Sequence, residues 1–135
     1  AYASFAGIRG GATVAGHAGE VVLIGIGAAG GDAGGGPRAP RAMEKALDQA
    51  SPHLAKAAAE ATRIPCIRIT QYGRGSAAPI AYFALSDATI TSLTVSAGAA
   101  GATERLELDF SRASWQIDSG PDRPADRGTW ARPAL

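Results

Sequence analysis

The sequence predicts a mainly β domain, a small barrel of short antiparallel strands with one α-helix at about residues 52–62. Three observations predict it. Short β-branched or alternating runs recur along the chain, each bounded by Gly, Pro or Ser. One Ala-rich stretch alone carries sustained helical character. With 135 residues there is enough chain for one domain and too little for two ordinary ones. One helix among short strands suits a closed or nearly closed barrel with the helix at its side or mouth.

The elements follow in order. Residues 4–14 read as a short opening strand broken by glycines, and His17 and Gly19 mark a turn. EVVLIGI, residues 20–26, is apolar and β-branched between glycines and reads as a buried strand. Residues 27–41, GAAGGDAGGGPRAPR, form a low-complexity loop that cannot bury apolar surface and is expected to be flexible or ordered by a partner. In 42–50, Met43, Ala46, Leu47 and Ala50 fall at helical spacing, so the pattern alone reads as helix. Ser51-Pro52 gives a cap and a good first helical residue. HLAKAAAEATR follows with high propensity, Leu54, Ala57, Ala58 and Ala61 on one side and a Lys56–Glu60 pair, and Pro65 ends it.

CIRITQY, residues 66–72, alternates with Ile67 and Ile69 on one face, and Gly73 to Ser76 form a turn. Residues 80–85 return as a strand, Ser86-Asp87 marks a bulge or bend, and 88–96 continue with Leu93 and Val95 on one face. After a turn at 98–103, Leu106, Leu108 and Phe110 alternate with polar residues. The alternation then slips to Ala113, Trp115 and Ile117, which predicts a bulge near Arg112. Residues 118–135 are rich in Pro, Arg and Asp and read as an extended tail, with Trp130 its one aromatic.

Composition narrows function. The hydrophobic fraction is 46%, but aromatics supply only 6%, so the core is thin and copies of the chain are expected to complete its burial. A net charge of +1, with 13 basic and 12 acidic residues and no dense patch, argues against nucleic-acid binding. Cys66 is the single cysteine, and a small core hydrophobe is its simplest role. His17 and His53 lack metal-ligand spacing, so no metal and no cofactor are expected. The glycines after EVVLIGI lack the helix and the Lys-Ser/Thr of a phosphate loop. His17, Asp87 and Ser92 have no nucleophile-elbow context, and Asp48 and Asp87 read as turn or capping residues. No membrane insertion is expected, and the AYA start fits signal-peptide removal or other processing.

Four stretches, in this order, carry a family resemblance: ALDQASPHLAKAAAEAT, with Asp48, Ser51 and Pro52; IPCIRITQYGRG; YFALSDATITSLTVSAG, with Asp87, Thr91 and Ser92; and TERLELDFSRASWQ, with Thr103, Glu104, Leu106, Leu108, Phe110 and Arg112. Together they resemble the haemolysin-coregulated proteins (Hcp), the inner-tube proteins of type VI secretion systems. The likeness is good over residues 42–117 and loose over 4–26. It implies an Hcp-like barrel over residues 1–117, with the tail at 118–135 separate. It turns 42–50 into a strand leading to the helix, against the pattern, and that reading is preferred here. It also implies a non-enzymatic subunit whose rings, of six copies, stack into a hollow tube. The partners would be other copies and a secreted effector cargo. The site would be secreted, or cytoplasmic with later export. The inter-subunit contacts expected are Gly34, Gly35, Gly36, Pro37, Arg38, Arg41 and Trp130. The alternative is a secreted ligand-binding or adhesive module on the same barrel.

Overall fold

The computed structural model describes residues 1–27, 39–73, 78–99, 101–118 and 124–133. Its elements are β1 (Tyr2–Phe5), β2 (Val21–Val22), β3 (Gly25–Gly27), β4 (Ala42–Ala46), α1 (Ser51–Ala59), β5 (Ile64–Tyr72), β6 (Pro79–Gly98), β7 (Gly101–Asp109), β8 (Arg112–Ile117) and β9 (Asp126–Ala131).

β6 organises the rest. Ala81, Phe83 and Leu85 point inward by strict alternation, but the inward set then becomes Ala88 and Ile90. The switch occurs at Asp87, whose φ of 52° puts an L-residue in the left-handed region and turns the strand. A second register shift between Ile90 and Ser92 brings Leu93 opposite Leu106. The predicted bend at Ser86-Asp87 is therefore present, inside one 20-residue strand.

The bend lets β6 serve two sheets. Its first half pairs with β5 on one side and β8 on the other, and its second half pairs with β7. One sheet runs β2-β1-β5-β6-β8-β9 and the other β6-β7-β4-β3, antiparallel throughout. The hydrogen-bonded path is open between β2 and β3. Those two ends are consecutive pieces of chain joined by Leu23 and Ile24, so a bend of backbone spans the gap. There Leu23 N–H donates to Ala1 O in one sheet and Ile24 N–H to Glu44 O in the other. The strand predicted at 20–26 is thus divided between two sheets.

The slip after Phe110 is a corner rather than a bulge in one strand. β7 ends at Asp109 in one sheet and β8 starts at Arg112 in the other. Ser111 ties this corner to the bend of β6: its N–H donates to Ser86 O at 3.1 Å and its hydroxyl to Asp87 Oδ2 at 3.0 Å. Both sheet-changing strands turn at one place, as barrel corners require.

Residues 42–46 form β4, the strand that the family resemblance implied and the helical spacing did not. α1 begins at Ser51, with Ala50 at the cap position and no side-chain cap, and stops at Ala59 instead of 62. Ala61, at φ 51°, ends it, and Thr62 N–H closes the last turn on Ala57 O at 2.9 Å. Leu54 and Ala57 bury the inner side of α1 against the barrel. The core joins Met43, Leu54, Ile67, Ile69, Leu85, Leu106 and Phe110, with many alanines between them. Alanines thus fill much of the space between the larger core side chains.

Candidate assembly surfaces

Phe110 sits at the β7–β8 corner and is fully buried. Trp130, on β9, meets its ring edge to face at 5.7 Å. The Arg41 guanidinium lies 4.8 Å from the Phe110 centroid and 5.5 Å from that of Trp130. Asp109 holds the charge of two arginines, Arg41 Nη1 at 3.7 Å and Arg132 Nη2 at 2.6 Å. Arg132 also donates to Phe110 O, and its backbone N–H to Ser111 O. Arg41 and Trp130, two residues expected to touch a neighbouring copy, so come together within one protomer. Gly34, Gly35, Gly36, Pro37 and Arg38 lie outside the described residues.

β9 reaches this point because it pairs with β8 from Asp126 to Ala131. Gly128 faces the Trp115 indole so closely that a methyl group there would stand 2.7 Å from Cε2. The outer edge of β9 has no strand beside it among the described residues. Leu93 still packs on the core, but from Thr94 on, the β6 side of the β6–β7 hairpin turns out to solvent, and residues 94–99 are exposed. Val95 points to the inward side there yet is 55% exposed.

A buried polar cluster lies under the start of α1. Lys45 is fully buried on the inward face of β4, opposite Glu104 of β7, which is 2% exposed. Lys45 Nζ lies 3.1 Å from Glu104 Oε1 and 2.9 Å from Asp48 Oδ1, and donates to Ser51 Oγ at 3.0 Å and Ala46 O at 2.9 Å. The Ser51 hydroxyl accepts from Asp48 N–H and donates to Glu104 Oε1, and Asp48 Oδ1 accepts from Ala50 N–H. Asp48, Ser51 and Glu104, met above as parts of two separate motifs, therefore form one network, and Lys45 is the member that the sequence did not single out. Its signal was positional: Lys45 follows Met43 by two residues and Glu104 precedes Leu106 by two, each on an inward-facing series.

His17, Asp87 and Ser92 are not brought together. His17 stacks on Tyr2 at 4.2 Å, lies 2.6 Å from the Tyr72 hydroxyl through Nε2 and 3.2 Å from Glu20 through Nδ1. This set holds the turn before β2 onto β1 and β5. Asp87 belongs to the corner with Ser111, and Ser92 is half-buried on β6. Cys66 is a half-buried free thiol. Among the described residues, no group of three or more His, Cys, Asp or Glu could hold a metal. No helix among them is long and apolar enough to cross a membrane.

The family model described as type VI secretion system effector, Hcp, matches residues 2–117. The chain belongs to the Hcp family. Solved structures share its fold over nearly their whole lengths. A type VI secretion system effector from Yersinia pestis superposes with a TM-score of 0.79 at 12% identity, covering 97% of this chain and 98% of that one. Hcp1 from Salmonella typhimurium gives 0.77 at 17%, covering 96% and 92%. The secreted protein Hcp3 from Pseudomonas aeruginosa gives 0.71 at 19%, covering 98% and 97%. No curated relative matches the chain. Hcp membership implies a type VI secretion tube subunit.

Proposed function

We propose that this Hcp-family chain is the repeating unit of a hollow tube, assembled as rings of six copies that stack, and that its role is structural rather than enzymatic. The observation that carries this reading is the family match over residues 2–117. The protomer supports it in three ways. The β9 edge and the projecting β6–β7 hairpin offer backbone groups and surface for a neighbour. Val22, Ile24, Leu47 and Val95 remain exposed and leave apolar burial for neighbours to complete. The charges of the Lys45 and Asp109 clusters are used within the fold. Loop 27–41 and tail 118–135, with Arg41 and Trp130 at their folded ends, are assigned to contacts between copies, and secretion through a type VI machine is the route assigned to the assembled chain.

Light scattering after size exclusion is expected to give about six chain masses, and negative-stain micrographs are expected to show rings or short stacks. A single-chain mass at high concentration, with no rings on the grid, would overturn this reading in favour of a secreted binding module.

A further inference from the structure

We propose that the outward face of β5–β6–β8–β9 is a docking surface for an acidic polypeptide. The ladder registers place three rows of side chains on this face: Cys66, Ser86, Arg112 and Ala131; Arg68, Ala84, Ser114 and Thr129; Thr70, Tyr82, Gln116 and Arg127. Three arginines stand among small and hydroxylated residues, and none of these positions holds a carboxylate. Arg68, Arg112 and Arg127 are exposed and have no ion pair with a described residue. Among the described residues, carboxylates occur only at the ends of the face. Asp87 is bonded to Ser111, and Asp118 has an interaction of its own.

The surface has shape as well as charge. Thr70, Ala84 and Ser114 leave a shallow trough of about 350 Å³ beside Tyr82 and Gln116, with Arg68 on its rim. Tyr82 is 47% exposed although its ring is large and apolar. The row from Arg68 to Thr129 crosses three strand spacings, about 14 Å, enough to seat a short extended segment between arginines. Unpaired arginines beside an aromatic ring, over a floor of hydroxyls and amides, match carboxylates on a flexible chain.

Charge balance identifies the partner as a different sequence. On the other sheet's outward face, Glu44 and Glu107 already flank Arg105, at 3.4 and 3.9 Å, and Asp109 holds Arg41 and Arg132. Among the described residues, the other sheet of a second copy thus presents no bare acidic face to these arginines. A net charge of +1 supplies no long-range pull on a nucleic-acid polyanion, which favours a protein of local acidic character. This surface goes beyond tube assembly and is read separately from it.

The test uses the full chain, a fluorescein-labelled deca-glutamate peptide and an oligothymidylate of equal charge, followed by anisotropy, with oligomeric mass measured on the same samples. The peptide is expected to bind at low salt, and the triple variant Arg68→Gln/Arg112→Gln/Arg127→Gln to weaken it by about tenfold or more. Arg105→Gln, on the other sheet, is expected to leave it unchanged. Undetectable binding to the unaltered chain, or equal binding by the triple variant, overturns the proposal. So does equal, arginine-dependent binding of the oligothymidylate, which makes the face a general anion surface. A changed oligomeric mass in the triple variant makes it a contact between copies and overturns it too. Tube assembly fails separately, by a single-chain mass in the unaltered protein.

Discussion

Lys45→Met is expected to destabilise the fold by about 3–5 kcal/mol, because it strands the Glu104 carboxylate in the interior. Lys45 is wholly enclosed and its ammonium has Glu104, Asp48, Ser51 and the Ala46 carbonyl around it. Remove the cation and Glu104 keeps the Ser51 hydroxyl, while its charge stays buried without a counter-ion. The start of α1 is affected as well, since Ser51 and Asp48 shape the turn that enters the helix. The double variant Lys45→Met/Glu104→Met is expected to recover most of the loss, because two apolar groups of similar size leave no orphaned charge. Urea midpoints of the two variants decide it. A single variant within about 1 kcal/mol of the parent would show that the ion pair contributes little beyond a typical exposed pair.

Phe110→Ala is expected to cost about 3–5 kcal/mol through the cavity it leaves and to loosen β9. The ring is fully buried at the corner where the chain changes sheets, and Trp130 and Arg41 pack on it. Without it, Trp130 loses its edge-to-face partner and Arg41 keeps only the Trp130 ring, so β9 is held here by the already half-exposed Asp109–Arg132 pair. Limited proteolysis is expected to cut near β9 sooner than in the parent, while chemical denaturation reads the global loss. Equal cleavage rates would mean that the β8–β9 ladder alone holds the strand.

Much of this fold was legible in the sequence, and the misreadings have physical causes. The Leu106–Leu108–Phe110 alternation, the bend at Asp87 and the helix after Pro52 follow from side-chain period and turn chemistry. β4 did not, because its second inward residue is Lys45: a polar group on the buried face erases the period-2 signal, and the flanking Met43, Ala46, Leu47 and Ala50 imitate a helix. The network that neutralises this lysine draws on β4, the turn before α1, the helix itself and β7, so no window along the chain contains it. The slip at Arg112 was visible, but a bulge and a sheet change leave the same trace in sequence, and only the pairing of β7 and β8 with different halves of β6 distinguishes them. The contribution of Gly128 depends on its fit beneath the Trp115 indole, a contact between strands that local composition does not encode.

β6 has a thermodynamic consequence. A strand that supplies ladders to β5, β7 and β8 cannot be lost by one half of the barrel and retained by the other. Under conditions where copies are kept apart, the protein is expected to melt as one unit, with equal calorimetric and van't Hoff enthalpies. Two resolved heat-absorption peaks would mean that the bend at Asp87 insulates one side from the other.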